Sequence, residues 1–327
     1  VWLKGASRPD LHDECGGRVT VMRRRVASSF VRSLGSRGGR AAVTASIPQT
    51  VWSRHGTRCS SSSQRSWRSL FTENGYVVPE FRLPSGRVSQ LQGALEKLMQ
   101  DNPDVEPEKL LNAHMQTLEG GSSPFLELGR DPALLDIVAT VLETQDIFLW
   151  AGQVFCKPAG TGRSVPWHQD GQYWPIMPMR AATAWVALDE STKENGCLQI
   201  IPGSHRQLYP HEHKVAPDSA IDFVVERDVF DSGRLLEQDA QFIELNAGEV
   251  EVHHPYIVHQ SARNDSSLRR AGIALGYMPA DCEFERHGQS LGEKLGGINL
   301  DYTQRPLYLV RGESRNANNT LVIDARP

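Results

Sequence analysis

Long apolar runs are missing from this chain of 327 residues. No stretch approaches the roughly 18 apolar residues that a membrane-spanning helix requires, and the mean hydropathy is −0.41. The sequence therefore predicts a soluble protein without a membrane span.

Cysteines are few, and their spacing fits no disulfide framework. The five cysteines stand at positions 15, 59, 156, 197 and 282, and none forms a C-x-x-C pair. Small secreted domains depend on closely spaced cysteines in even numbers. The pattern predicts a reducing compartment, in which these thiols are buried as small apolar side chains.

Acidic residues are absent from position 22 to position 72, where ten arginines occur. The start of this segment, residues 22–46, is rich in Ser and Ala, and a helix there would gather its apolar side chains on one face. That composition is typical of an organelle transit peptide. We therefore assign residues 1–66 to a disordered leader, with a transit peptide for mitochondria from Met22, so that residues 1–21 would precede the true start. The alternatives are plastid import or a cytoplasmic protein with a disordered basic tail.

The rest of the chain is acidic. Residues 73–327 contain 22 basic and 36 acidic side chains, a net charge of −14. Such a body is a poor electrostatic partner for nucleic acid, so we expect a small-molecule substrate. Its length suits one domain, which we place at residues 67–327.

Helical patterns precede a series of strands. We predict a linker at 60–63, a first strand at 71–81, a helix over 86–101 from its apolar spacing, and a second helix capped by Asp131 with Pro132 at its first position. Short apolar runs separated by turn residues predict strands at 147–156, 183–190, 197–202, 241–246, 249–254 and 272–278. This order predicts a mainly β fold, a sandwich or barrel with a helical buttress.

Two histidines and one aspartate have the spacing of a metal site. The segment 165–174, VPWHQDGQYW, places His168 and Asp170 two residues apart, and such residues share one face of a strand. His259 follows on another predicted strand. Two histidines and a carboxylate form the facial triad of non-haem Fe(II) oxygenases, which leaves coordination positions open. His253 and His254 are alternative ligands, although Pro255 interrupts their strand.

Arg270, eleven positions after His259, indicates a second ligand. Its planar guanidinium binds a carboxylate through two parallel hydrogen bonds. On a strand, Arg270 would share its face with Gly272, Ala274 and Gly276, which leaves space for a five-carbon diacid such as 2-oxoglutarate. The alternative is an arginine at the surface.

Several segments resemble the phytanoyl-CoA dioxygenase family. They are WHQDGQYW at 167–174, TAWVALDESTKENGCLQIIPGSH at 183–205 and VHQSARNDSSLRRA at 258–271, and the resemblance covers residues 71–281. It implies a double-stranded β-helix, which is a jelly-roll, cupin-like barrel. It also implies Fe(II) with 2-oxoglutarate and O₂ as cosubstrates, and hydroxylation with release of succinate and CO₂.

The resemblance also implies roles for single residues. His168, Asp170 and His259 match the iron ligands, and the carboxylate at Asp170 favours hydroxylation, because related halogenases have a small residue there. Arg270 and Ser261 match residues that bind the distal carboxylate of 2-oxoglutarate. Trp185 matches a tryptophan that contacts the cosubstrate. Gln153, on the preceding strand, is a weaker match to another residue of that site.

Two other functions are compatible with the same residues. A cupin-like metal hydrolase or isomerase could use the two histidines and the aspartate, but it would give Arg270 no role. A barrel that only binds a ligand would not need the triad. The substrate remains open: an acidic body is a poor match for a CoA ester, unless Arg305 and Arg311 form a basic patch.

Overall fold

The computed structural model describes residues 61–117, 121, 123–214, 216, 218–286 and 302–327. The predicted transit segment up to residue 60 lies outside these ranges. The helices described are α1 (Ser61–Asn74), α2 (Ser85–Asp101), α3 (Pro124–Gly129), α4 (Pro132–Leu142) and α5 (Arg227–Asp231). The strands described are β1 (Tyr76–Val77), β2 (Leu110–Leu111), β3 (Ile147–Lys157), β4 (Val165–His168), β5 (Ile176–Met177), β6 (Ala182–Ala187), β7 (Leu198–Ile201), β8 (His211–His213), β9 (Phe223–Val225), β10 (Gln241–Ile243), β11 (Val250–His253), β12 (Val258–Ser261), β13 (Arg270–Pro279), β14 (Glu283–Phe284), β15 (Leu307–Arg311) and β16 (Val322–Asp324).

Two sheets carry most of these strands. The larger has the order β1-β11-β6-β13-β3-β15-β16, with β2 paired to β3, and the smaller has the order β10-β7-β12-β4. All of their pairings are antiparallel except β15 with β16. Neighbours in the sheets are far apart in sequence, as in β11 beside β6, which is typical of a jelly roll. The predicted mainly β fold is confirmed.

The helices form a buttress on one face of the larger sheet. Helices α1 to α4 bury apolar side chains against alternate residues of β3, β6, β11 and β13 in one continuous core. Leu91 and Leu95 of α2 have no exposed surface, and burial of such a side chain contributes about 1.5–3 kcal/mol. Because these alternate residues face the helices, the intervening residues face the smaller sheet.

Both predicted helices are present. Helix α2 begins at Ser85, one residue before the predicted start. At α4 the Asp131 carboxylate accepts hydrogen bonds from the backbone N–H groups of Ala133 and Leu134, and Pro132 occupies the first turn. The cap satisfies two N–H groups that would otherwise lack a partner.

The predicted first strand is wrong over most of its length. Helix α1 extends to Asn74, and only Tyr76–Val77 pairs as a strand, with the end of β11. Trp67 and Phe71, one helical turn apart, are both buried in the helix-side core. This spacing begins upstream of the segment that was interpreted as a strand. Helix α1 also includes residues 61–63 of the predicted linker, and it crosses the predicted leader boundary at 66/67.

No helix within residues 61–117, 123–214, 218–286 and 302–327 is long and apolar enough to cross a membrane.

Candidate metal and cosubstrate site

The smaller sheet brings two histidines together. His168, the last residue of β4, is the direct cross-strand partner of His259 in β12, and their ring centroids are 4.1 Å apart. Nδ1 of His168 lies 2.8 Å from the carbonyl oxygen of Pro166, and Nδ1 of His259 lies 3.1 Å from that of Ile257. A carbonyl oxygen only accepts, so each Nδ1 carries the proton and each Nε2 is free to bind a metal.

Asp170 reaches the same place from beyond the end of its strand. The prediction put His168 and Asp170 on one strand, whereas β4 ends at His168 and Asp170 opens a 3-10 turn. Gln169 between them has an extended backbone, which keeps the alternation of side chains for one more residue. Asp170 Oδ1 therefore lies 3.5 Å from His168 Nε2 and 3.4 Å from the hydroxyl of Tyr173.

The three side chains form a compact group of metal-binding atoms. One ligand atom each from His168, Asp170 and His259 lies within 4.8 Å of the other two. Burial favours the neutral acid, but His168 and His253 beside it hold the pKa of Asp170 well below its usual range. Burial holds the pKa of His259 well below its usual range. A carboxylate and neutral imidazoles are the forms that bind a metal.

A buried glutamine holds the turn that carries Asp170. Gln169 has no exposed surface. Its side-chain oxygen accepts from Tyr209 N–H at 2.8 Å, and its amide donates to the carbonyls of Gln207 and Tyr256. His211 Nε2 accepts the N–H of Gln169 at 3.1 Å. Nothing in the spacing of the sequence marks these residues, because their partners come from loops 38 to 87 positions away.

A cavity between the two sheets contains this group and ends at Arg270. The larger sheet contributes Phe155, Thr183, Trp185, His253, Arg270 and Ala274 to its lining. The smaller sheet and the turn after β4 contribute Val165, His168, Asp170, Leu198, His259, Gln260 and Ser261. The predicted metal ligands and Arg270 thus share one cavity.

Arg270 is buried with no acidic partner among the described residues. Its side chain is 3% exposed, and both Nε (3.2 Å) and Nη2 donate to the carbonyl oxygen of Gly196. Its guanidinium lies 5.3 Å from the ring of Trp185. Burial lowers the pKa of Arg270 to about 10, yet the side chain stays charged at neutral pH. A buried cation paired only with a carbonyl is costly unless an anion joins it.

Glycines permit the close approaches around Arg270. Gly196 has φ +79°, and a Cβ there would collide with the carbonyl of Ala262, so only glycine presents its own carbonyl to the guanidinium. A Cβ on Gly272 would collide with the Trp185 indole. The predicted packing of Ala271, Ile273, Leu275 and Tyr277 on the helix side is confirmed. On the other face Ala274 lines the cavity, whereas the Trp185 indole fills the space over Gly272.

The other three predicted cosubstrate residues occupy different positions. Trp185 and Ser261 line the cavity. The buried Nζ of Lys157 donates to the Ser261 carbonyl at 3.1 Å, which fixes the end of β12. Gln153 lies across from Ala274 on the cavity side of β3 but is not part of the cavity lining.

The two alternative histidines point in different directions. His253 ends β11 and lines the cavity, with Nε2 at 3.8 Å from Asp170 Oδ2. His254 lies outside the cavity lining, and its Nδ1 accepts the N–H of Tyr256 at 3.0 Å. Because β11 ends at His253, Pro255 does not interrupt the part of the strand that carries it. Among the described residues, the group of metal-binding atoms contains His259 and not His253.

The donor set fits Fe(II), and the cavity fits a chelating diacid. Two imidazoles and one carboxylate on one side of a metal leave the opposite positions free, which is the arrangement of non-haem Fe(II) oxygenases. Arg270 offers a buried positive charge in the same cavity, as the distal carboxylate of 2-oxoglutarate would require.

The chain has relatives among known proteins. It is 24% identical over 238 residues to peroxisomal phytanoyl-CoA dioxygenase of Homo sapiens, covering 66% of this chain and 69% of that protein. It is 26% identical over 200 residues to a probable alpha-ketoglutarate-dependent hypophosphite dioxygenase of Stutzerimonas stutzeri, covering 59% and 68%. A solved non-heme monooxygenase has the same fold, with a TM-score of 0.61, 24% identity and coverage of 80% and 88%.

The family profile described as phytanoyl-CoA dioxygenase matches residues 71–272. This range includes the histidines, the aspartate and Arg270 of the cavity, and it is most of the described structure. The chain therefore belongs to the phytanoyl-CoA dioxygenase family of iron- and 2-oxoglutarate-dependent oxygenases.

Proposed function

We propose that the protein holds Fe(II) with His168, Asp170 and His259, binds 2-oxoglutarate through Arg270, and hydroxylates a small organic or acyl substrate. The observation that carries this proposal is the charged Arg270. It is buried in the cavity that contains the three ligand side chains and has no acidic partner among the residues that the structure describes. A hydrolase or isomerase with the same metal ligands gives this arginine no role.

Each side chain has a defined task. The Nδ1 hydrogen bonds of His168 and His259 aim both Nε2 atoms into the cavity. Arg270 binds the distal carboxylate of the cosubstrate, Ser261 adds a hydroxyl beside it, and Trp185 forms the wall along its carbon chain. Gln153 stays a predicted contact on the same face of the sheet. Bound Fe(II) supplies the centre at which O₂ is reduced while 2-oxoglutarate is converted to succinate and CO₂.

The burial of the site protects this chemistry. His168 and His259 are at most 6% exposed and the Asp170 side chain is 19% exposed, so little of the three ligand side chains is in contact with solvent. Exclusion of water strengthens the charge interactions of the site and limits side reactions. The protein thus contributes orientation and exclusion of water.

Metal analysis and succinate release test the proposal. We expect protein purified without oxygen to retain Fe(II), and to release succinate only when 2-oxoglutarate and O₂ are both added. Zinc in the site together with no succinate would favour the metal hydrolase or isomerase. A folded protein that retains no metal and releases no succinate would favour a binding domain without catalytic activity.

The substrate is best found by screening. The two relatives named above act, by their names, on a CoA ester and on hypophosphite, so the family does not decide between chemical classes. Arg311 pairs with Asp136 at 2.7 Å, so an acidic side chain offsets its charge. This weakens the case that Arg305 and Arg311 form a basic patch for a CoA ester. Candidate substrates are ranked by how far they accelerate succinate release.

We propose further that the arginine-rich segment from Met22 directs the protein to mitochondria. The support is compositional: ten arginines and no acidic residues between positions 22 and 72. Plastid import and a cytoplasmic location are the alternatives.

A further inference from the structure

Two buried ionisable residues of β11 have no role in the function proposed above. Glu251 and His253 are two residues apart, so they share the cavity face of the strand. They are 0% and 2% exposed, and their cross-strand neighbours in β6 are Trp185 and Thr183. Of the two, His253 lines the cavity beside the metal position, and Glu251 lies on the same face of the strand.

These residues connect to the metal position through Asp170. His253 Nδ1 lies 2.8 Å from Glu251 Oε2, and His253 Nε2 lies 3.8 Å from Asp170 Oδ2. The other oxygen of Asp170, Oδ1, is the one that lies 3.5 Å from His168 Nε2. Oδ2 of Asp170 thus faces His253, and Oδ1 faces His168.

Both ring nitrogens of His253 face carboxylate oxygens. A carboxylate only accepts hydrogen bonds, so each nitrogen favours a proton directed at its own carboxylate. The distance to Asp170 is too long for a hydrogen bond, so Nε2 makes a longer polar contact with Oδ2. With the ring held by Glu251, Nε2 stays beside Oδ2, and Oδ1 is left on the side of His168.

We propose that His253, held by Glu251, is a positioning residue that orients the Asp170 carboxylate for metal binding. The inference rests on the proposed function, because it takes Asp170 as a metal ligand. Partners of this kind beside a ligand typically change metal affinity 10- to 100-fold when they are removed.

Packing alone does not explain the pair. A buried ion pair is often no more stabilising than apolar side chains of the same volume. Glu251 Oε1 and His253 Nε2 both lack a hydrogen-bond partner among the described residues. Burial of such polar atoms costs free energy that apolar side chains at these positions would not. The neighbouring His254 provides the contrast, because it faces away from the cavity. It accepts a hydrogen bond from the N–H of Tyr256 and packs near Phe71.

Cobalt binding tests the proposal without turnover. The full chain, freed of metal, is titrated with Co(II) alone, and its affinity and visible absorption spectrum are recorded. Glu251→Gln serves as the background, because it removes the buried charge at constant volume while its amide oxygen can still accept the hydrogen bond of His253 Nδ1. In this background we compare His253→Phe, which removes both donors, with His253→Gln, which keeps an amide donor.

We expect His253→Phe to weaken Co(II) binding 10- to 100-fold relative to the background and to alter the spectrum. His253→Gln is expected to stay within about threefold, because its amide can still face Asp170. Equal affinities for the Phe and Gln variants would overturn the proposal, as would a Phe variant that binds like its background. If the Phe variant does not fold, His253→Leu replaces it with the same expected loss. Failure of the wild type to bind Co(II) would instead refute the metal site itself.

Discussion

Arg270 and its neighbour Arg269 have the same charge but opposite surroundings. Arg269 projects to the helix side, where it pairs with Asp189 at 2.8 Å and with Glu96. Arg270 faces the cavity and, within the part of the chain that the structure describes, donates only to the carbonyl of Gly196. The alternation of side chains along β13 therefore separates an arginine that stabilises the fold from one that is available to a ligand.

Arg270→Gln should weaken 2-oxoglutarate binding severely while leaving metal binding nearly intact. Removal of one partner of a buried charge pair costs about 3–5 kcal/mol, which corresponds to a loss of affinity of roughly a hundred- to a few thousand-fold. Calorimetry of 2-oxoglutarate with the Mn(II)-loaded protein, in the absence of oxygen, measures the loss.

Arg269→Gln is the matched control. It removes a partly exposed ion pair, so we expect a lower melting temperature and 2-oxoglutarate affinity within about twofold of wild type. A large loss of affinity in the Arg269 variant, with none for Arg270, would contradict the assignment.

Asp170→Ala should abolish Fe(II) retention and succinate release, because it removes the only anionic ligand proposed for the metal. Iron content after anaerobic dialysis and succinate formation are the measurements. Asp136→Ala is a control of the same type, since Asp136 lies at the surface and pairs with Arg311. Succinate release above about a tenth of wild type in the Asp170 variant would show that Asp170 is not a required ligand.

At the level of single residues, the sequence predicted what depends on local spacing. His168 and Asp170 are two apart, and Arg270 shares a face with three small residues, so strand periodicity alone places them. Gln169 and His253 depend on contacts across the fold: Gln169 with Tyr209 and Tyr256, and His253 with Asp170, 83 positions earlier. No local pattern records such contacts.

The turn between β4 and β5 depends on elements distant in sequence. Gln169→Leu would leave the N–H of Tyr209 and the carbonyl of Gln207 without partners. We expect a loss of about 1–3 kcal/mol in the free energy of unfolding and weaker metal binding, because Asp170 follows directly. Urea unfolding and Co(II) titration measure the two effects.

Gln260→Leu provides the comparison. Gln260 lies on β12 next to His259, and its amide donates to the side chain of Gln199 at 3.3 Å. We expect a smaller change in stability and little change in metal affinity. Equal loss of metal affinity in both variants would contradict a special role for the turn.

Elements differ in how far the sequence specifies them. Helix α4 begins at its predicted cap because Asp131 and Pro132 act within a single turn. The prediction of the first strand was wrong because it relied on the β propensity of Tyr76, Val77 and Val78. The side chains that decide the structure, Trp67 and Phe71, belong to a helix that starts upstream. Burial of two aromatic rings outweighs a weak local preference.

At the scale of the whole chain, the basic segment and the acidic body should act separately. A fusion of residues 22–70 to a fluorescent reporter is expected to enter mitochondria, since its charge and composition are those of a transit peptide. Replacing Arg23, Arg24 and Arg25 with glutamine in the fusion should abolish import. A diffuse cytosolic signal for the unchanged fusion, or plastid import, would contradict the prediction.

Helix α1 should be needed for stability, although it crosses the predicted boundary of the leader. Trp67 is 7% exposed and Phe71 is 6% exposed, and both belong to the core on the helix side of the larger sheet. Replacement of such a ring by alanine costs about 3–5 kcal/mol. We expect losses of that size for Trp67→Ala and Phe71→Ala in urea unfolding.

Arg68→Ala, on the same helix, separates packing from helix propensity. Arg68 is exposed and pairs with Glu143 at 2.7 Å, so its removal should cost at most about 1 kcal/mol. If the three variants unfolded alike, α1 would not be part of the cooperative domain, which would then begin after residue 74. If Trp67→Ala and Phe71→Ala are destabilised and Arg68→Ala is not, α1 belongs to the domain, as a start at residue 67 requires. A protein that starts at residue 75 should then fail to fold, because it lacks both rings that α1 contributes to the core.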